Sequence, residues 1–399
     1  MSLSKERFNQ LLEQIAKELD ISPSKYKLAV SRYESIGSWL DSGDYGDFFG
    51  DICIYPQGSF RLGTVVRPVS EQTERDYDID LVCEFQEETN ATQAQKVKYR
   101  VGNRLKEHDS YKSMLDKEGR RCWTLLYAEQ DGAGFHLDVL PSIGFSSHNN
   151  LPIAITHKED DGYSWVSSNP KGYAAWFEER NISAYRVVVN EQKRMIAHSY
   201  HDIYAKVDDV PDQLVRTPLQ RVIQIMKRHR DMRFNGDQKY APISMIITTL
   251  AAHLYDNETN VTTALTNIVN KLAAHMSLLD NKLMVDQRLS GRGLIKRLAD
   301  GTWYIGNPTN KDENFADRWN EDGNARAKAF FQWVDWLKQD FISIMFRDEN
   351  TVKFTLEGCL GKSVISKVWR KCVPVAVTAT PEPVRVKISH SVKPWRADE

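Results

Sequence analysis

Cysteine is scarce in this chain: Cys53, Cys83, Cys122, Cys359 and Cys372 are five among 399 residues. Their number is odd and no two form a C-x-x-C pair. That excludes a disulfide framework or a zinc module and points to a reduced, cytoplasmic protein. Charge of one sign is not in excess, since Lys and Arg total 53 against 54 Asp and Glu. A chain that coats nucleic acid without specificity is therefore not expected, nor is a long polynucleotide footprint. Long apolar runs are missing: 243–254 is among the longest and is too short and too mixed to span a bilayer. The opening Met1-Ser2-Leu3-Ser4-Lys5-Glu6-Arg7 is polar and lacks the apolar centre of a secretory signal. There is no internal repeat and no long low-complexity tract. What remains is a chain with room for two ordinary domains and enough apolar content for real cores.

Apolar spacing predicts helices over 4–19, through Phe8, Leu11, Leu12, Ile15 and Leu19, and over 23–40. Strands are expected at 52–56, 77–85, 120–128 and 134–140, with a helix near 92–107 and a hairpin at Asp131-Gly132. The first half thus reads as mixed α and β on a small sheet. From about residue 212 the character turns helical. Thr217-Pro218 has the form of an N-cap followed by proline at the first helical position. The helix it opens runs to Phe234. Pro242 opens another to about Tyr255, and helical patterns cover 259–279 and 324–346. The expected division is 1–208 for an α+β core with N-terminal helices, 209–373 for a helical lobe, and 374–399 for an extended or mobile tail.

The chemistry is carried by short pieces in a fixed order. Alternate residues of a strand share a face. In Tyr77-Asp78-Ile79-Asp80-Leu81 the two aspartates therefore point one way and the apolar residues the other. Carboxylates held this close repel unless a cation lies between them. Asp138, in Phe135-His136-Leu137-Asp138-Val139, points away from a core formed by Leu137 and Val139. If its strand neighbours the first, three carboxylates converge, which is a ligand set for two Mg²⁺ ions. Upstream, Gly58-Ser59 follows a strand-like run. Glycine lets the backbone approach a phosphate, and the serine hydroxyl and nearby N–H groups can bond its oxygens.

Gln57-Gly58-Ser59-Phe60-Arg61-Leu62-Gly63-Thr64, Asp76-Tyr77-Asp78-Ile79-Asp80-Leu81 and His136-Leu137-Asp138-Val139-Leu140-Pro141 together resemble the DNA polymerase β-type nucleotidyltransferase superfamily. Within it, the sequence is most similar to the cGAS/DncV-like nucleotidyltransferases (CD-NTases). Ser168-Asn169-Pro170-Lys171-Gly172-Tyr173, Leu219 to Asp231 and Asn307-Pro308 ahead of Glu313-Asn314-Phe315 extend the likeness. The resemblance implies a polymerase β-like core and a C-terminal helical lobe with the active site between them. It implies that Asp78 and Asp80 bind both metals (Mg²⁺, with Mn²⁺ as an alternative). Asp138 would bind the catalytic one and help activate an acceptor hydroxyl. Gln57, Gly58 and Ser59 would hold a donor triphosphate, and Lys227 and Ser244 its β- and γ-phosphates. The implied activity is synthesis of a cyclic di- or trinucleotide from NTPs, ATP and GTP foremost, for CBASS antiphage signalling. The product would reach a downstream effector, and the tail is an expected handle for a regulatory partner. Rival readings keep the fold: linear products, modification of RNA ends or a protein, or an inactive nucleotide-binding partner. One departure is the 18-residue spacing from Ser59 to Asp78, longer than the general superfamily pattern, with the extra residues expected in 69–75.

Three lookalikes are set aside. Gly361-Lys362-Ser363 lacks the earlier glycine of a phosphate loop, position 356 being leucine. His198 and His201 have no third ligand nearby in sequence. Phe330, Phe331, Trp333, Trp336 and Phe341 are expected to be helical core and its margin.

Overall fold

The computed structural model describes residues 3–67, 77–130, 133–144, 152–236, 238–279, 293–298 and 300–373. The expected loop at 69–75, the turn at Asp131-Gly132 and the tail at 374–399 lie outside them. Two helices open the chain, α1 (Lys5–Glu18) and α2 (Pro23–Asp41). Each is capped by a serine, Ser4 accepting from the Arg7 N–H and Ser22 from the Lys25 N–H. There follow β1 (Ile52–Gln57), the short α3 (Gly58–Arg61), β2 (Tyr77–Phe85), α4 (Ala94–Glu107), α5 (Asp109–Met114), β3 (Trp123–Gln130), β4 (Ala133–Ile143), β5 (Ile153–Lys158) and β6 (Tyr163–Ser168).

The six strands form one sheet in the order β1-β2-β4-β5-β6, with β3 also paired to β4. Only β2 and β4 run parallel; the other pairs are antiparallel. Period-two alternation divides the two faces. Tyr77, Ile79, Leu81, Cys83, Phe85, Phe135, Leu137 and Val139 join α2 and α4 in one core. Val82, Leu140, Ile153 and Ile155 form a small apolar patch on the other face, beyond the aspartates.

A 30-residue helix, α6 (Pro170–Ser199), leads from the sheet to the helical half. This half holds α7 (Pro218–Arg233), α8 (Ser244–Leu254), α9 (Val261–Ala273), α10 (Ala325–Leu337), α11 (Glu349–Leu360) and α12 (Lys362–Cys372). Four short strands, β7 (Lys296–Arg297), β8 (Trp303–Tyr304), β9 (Gly306–Asn307) and β10 (Asn310–Asn314), lie between α9 and α10. Thr217 caps α7 in a reciprocal box with Gln220, and Pro218 fills the first turn as expected.

Several boundaries differ from the sequence reading. The helix expected over 324–346 ends at Leu337, widens into a π-type turn over Lys338–Ile342 and tightens over Ser343–Phe346. The wide turn carries Asp340 inward to His229 (Nε2···Oδ2 2.8 Å) and to Arg233 (Nε···Oδ2 2.8 Å). The first expected helix also packs differently from its place in the chain. Phe8, Leu11, Leu12 and Ile15 of α1 belong to the core built by α7 to α12, and only α2 packs on the sheet. Burial drives this, because α1 offers an apolar stripe that the lobe helices cover completely. The hydrophobic cores therefore do not divide the chain at 208/209.

Phe330, Phe331 and Trp333 are fully buried in that lobe core, and Gly361 (φ +105°) is the joint between α11 and α12. Phe330→Ala is expected to cost about 3–5 kcal/mol, read as a lowered denaturant midpoint with an unchanged slope. Among the described residues, no helix is long and apolar enough to cross a membrane.

Candidate active site

Register gathers the carboxylates. On the parallel pair, Asp80 lies beside Asp138 and Asp78 beside His136. On the flanking strands, Gln57 pairs with Asp80 and Thr124 with Asp138. Gln57, Asp80, Asp138 and Thr124 thus form one row across four strands. Thr124 Oγ1 donates to Asp138 Oδ1 at 2.5 Å, and the Cys122 thiol points at Asp138 Oδ2 at 3.7 Å. Asp78 is the outermost of the three, with its side chain 77% exposed and His136 Nδ1 3.6 Å away.

The crowding has an electrostatic signature. Burial, then the charges of Asp138 and Asp78, push the Asp80 carboxyl up to about 7, opposed only weakly by Lys227. A carboxylate cluster in this condition gains from a divalent cation, and oxygen-only donors suit Mg²⁺ or Mn²⁺. The residues present therefore fit such an ion.

The turn after β1 is pressed onto this cluster. Gly58 has φ +63°, and a Cβ placed there would lie 2.2 Å from Asp80 Oδ2. Only glycine suits the position, on both backbone and steric grounds. Ser59 sits in the first turn of α3, directly after that glycine.

The helical half closes the other side through one stripe of α7. Gln220 Nε2 donates to Leu62 O (2.9 Å), Gln224 Nε2 to Val65 O (2.8 Å) and Lys227 Nζ to Thr64 O (3.1 Å) and Oγ1 (3.2 Å). Residues 220, 224 and 227 lie on one helix face. Lys227 is buried, and desolvation, then Arg230, lower its pKa to about 7. Arg230 pairs with Asp231 and donates to Ser244 Oγ at 3.0 Å, where α8 begins.

All eight residues singled out from the sequence (Gln57, Gly58, Ser59, Asp78, Asp80, Asp138, Lys227 and Ser244) line one cavity of about 640 Å³. The same cavity holds side chains to which the sequence reading gave no role: Arg61, Arg121, Cys122, Arg230 and Glu313. Cys122 and Thr124 share Asp138's face by strand alternation, a signal that was available. Arg121 gave none, whereas Glu313 stands in the Asn307 to Phe315 segment that carries the family likeness, a signal that points to the segment without giving the side chain a role. The His229, Asp340 and Cys359 side chains also cluster, buried in the lobe, but Arg233 already neutralises Asp340 there.

Residues 1–181 match the Second Messenger Oligonucleotide or Dinucleotide Synthetase (SMODS) domain. The chain is 28% identical over 353 residues to a c-di-GMP synthase of Roseivirga ehrenbergii, covering 85% of this chain and 80% of that protein. It is 23% identical over 250 residues to the cyclic dinucleotide synthase CdnG of Bradyrhizobium diazoefficiens, covering 61% and 58%. Among solved structures, the fold is similar to the B. diazoefficiens CD-NTase CdnG in complex with GTP. The TM-score is 0.67 at 21% identity, over 91% of this chain and 98% of that one. It is also similar to CdnC of E. coli MS115-1 with ATP, with a TM-score of 0.58 at 15% identity over 89% and 98%. At these identities the structural likeness establishes the fold these proteins share: a mixed α/β core joined to a helical lobe.

Proposed function

We propose that the chain is a cGAS/DncV-like nucleotidyltransferase that joins NTPs into a cyclic di- or trinucleotide second messenger for CBASS antiphage signalling, a reading supported by its SMODS-domain match and its likeness to cyclic dinucleotide synthases. ATP and GTP are the expected substrates. The product would act on a downstream effector, and a protein partner would regulate the enzyme. A reaction that draws on the NTP pool places it in the cytoplasm. The observation that carries the reading is the register of Asp80 beside Asp138 under the Gly58 turn.

In each round a ribose hydroxyl of one nucleotide attacks the α-phosphorus of another. The new O–P bond forms as the bond to the β-phosphate oxygen breaks, and pyrophosphate leaves. A last attack within the linear product closes the ring, with loss of its pyrophosphate: the second attack for a dinucleotide, the third for a trinucleotide. Two divalent cations bound by Asp78, Asp80 and Asp138 would neutralise the triphosphate and lower the pKa of the attacking hydroxyl. Gly58 and Ser59 present N–H and hydroxyl donors to the donor phosphates, and Lys227 and Ser244 hold their outer oxygens. Asp138, its Oδ1 fixed by Thr124, orients the acceptor hydroxyl and helps draw off its proton. Positioning and charge neutralisation supply most of the rate.

Purified protein given all four NTPs and Mg²⁺ should make phosphatase-resistant oligonucleotides, identified by mass spectrometry. Asp78→Ala with Asp80→Ala should make none. Unaltered product from that variant would overturn the carboxylate assignment, and linear or protein-linked products would move the reading to one of its rivals.

Lys227→Met should raise the NTP KM by about 10-fold or more, because a charge-assisted phosphate contact is lost. Without nucleotide its melting temperature should fall, since Thr64 O and Oγ1 lose the donor that ties α7 to the loop. Initial-rate kinetics and a thermal melt check both.

A further inference from the structure

One half of the cavity is not used by the donor triphosphate. It lies on the far side of Asp138 from the Gly58 turn, where β3 begins and β6 ends. Arg121 and Glu313 line it. Arg121 sits in the seam between β3 and β5. Its carbonyl accepts from Thr156 Oγ1 at 3.4 Å, and buried Lys98 ties the loop down by donating to the carbonyls of Gly119 (2.9 Å) and Cys122 (3.2 Å). Among the described residues the guanidinium makes one hydrogen bond, Nε to His157 Nδ1 at 3.4 Å. Among the described residues, no carboxylate lies within 4.0 Å of it.

Glu313 comes from the other direction, on the β9–β10 hairpin. Asn310 Nδ2 docks that hairpin onto β6 by donating to Ser167 Oγ at 2.9 Å. Asn307 Nδ2 donates to Glu313 Oε2 at 2.8 Å, and Ser168 adds a second side-chain bond. These bonds fix the carboxyl group and leave it acceptor capacity. Burial raises the Glu313 pKa, opposed by Asn307 and then by the charge of Arg121. A fixed acceptor and a fixed donor of opposite charge thus line one cavity without pairing.

Nucleobases differ in how well they fill such a gap. The Watson–Crick edge of guanine has two adjacent donors, N1–H and N2–H₂, beside the O6 acceptor. Adenine and cytosine would turn a ring-nitrogen lone pair toward the carboxylate. Uracil has a single N–H between two carbonyls.

Resting on the reaction proposed above, the geometry points to a guanine-reading subsite on the acceptor side. Glu313 accepts from N1–H and N2–H₂, and Arg121 donates to O6. The acceptor nucleotide is therefore a guanosine nucleotide, and its base is held before its hydroxyl meets Asp138.

GMP and IMP separate this subsite from the donor grip. They differ only in the 2-amino group, and both lack the triphosphate that the donor half would hold. In equilibrium titrations of the full chain, wild type should bind GMP at least about 10-fold more tightly than IMP, because a site built to bond an amine rejects the analogue without it. Glu313→Gln keeps an acceptor for Asn307, and a thermal melt checks that it is folded. It should bring the GMP/IMP ratio to within about 3-fold. Arg121→Met should weaken both ligands alike, since both keep O6. Equal binding of GMP and IMP by wild type, no GMP binding, or an unchanged ratio in Glu313→Gln would each overturn the subsite. Binding is read without turnover. A chain that discriminates GMP in this way yet makes no cyclic product would sink the proposed reaction and leave the subsite standing.

Discussion

Asp80→Asn should abolish synthesis and, without metal, make the protein harder to unfold. The loss of rate is expected to be on the order of 10³-fold or more, as for removal of a group that stabilises transition-state charge. The gain in stability follows from linkage. The unfolded aspartate titrates at 3.8 and the folded one at about 7. Between those values the folded chain holds the proton and the unfolded chain does not. Stability from this group is present below pH 3.8 and is lost as pH rises through 7. Above that window the cost is up to about 4 kcal/mol, and the asparagine removes it. Chemical denaturation in EDTA at pH 8 should show the variant more stable than wild type, and at pH 4 the two should converge. Added Mg²⁺ should stabilise wild type and leave the variant almost unchanged. Equal Mg²⁺ stabilisation of both proteins would contradict a metal at this carboxylate.

Gly58→Ala is the second large effect, and it needs no change of charge. The methyl would sit 2.2 Å from Asp80 Oδ2, and the backbone at φ +63° disfavours any side chain. The turn must move or the carboxylate must rotate, and either separates the phosphate donors from the metal ligands. Activity should fall by about 10²-fold or more, the cost of a misplacement near 1 Å. Stability should fall by about 1–3 kcal/mol from backbone strain. Gly46→Ala is the control: it shares a positive φ (+67°) and would meet nothing within 4 Å. It should lose some stability and keep its activity.

What could be read from the sequence follows from how each element is buried. β2 was legible end to end because its first residues alternate between core and cleft. Asp78 and Asp80 came with it. Asp138 was legible as a carboxylate on a strand, but its meeting with Asp80 depends on β2 pairing in parallel with β4 rather than with β3, the next strand in sequence, which no local pattern encodes. The long helix α6 went unseen because its buried residues stop at Ala184, so its second half shows no apolar stripe. β5 and β6 are short and mostly half-buried, which blurs alternation. Arg121 stayed hidden because Lys98 pulls 119–122 out of the expected strand. Glu313 reaches the cavity only by the docking of a hairpin from the other half of the chain.

The α7 stripe has an evolutionary corollary. Gln220, Gln224 and Lys227 all seize main-chain oxygens of residues 62–65. Every amino acid carries that oxygen, proline included. Residues 62 and 65 can therefore mutate freely as far as this clasp is concerned, tuning what the cleft admits while the two halves stay fastened. Drift is tolerated on the loop and penalised on the helix.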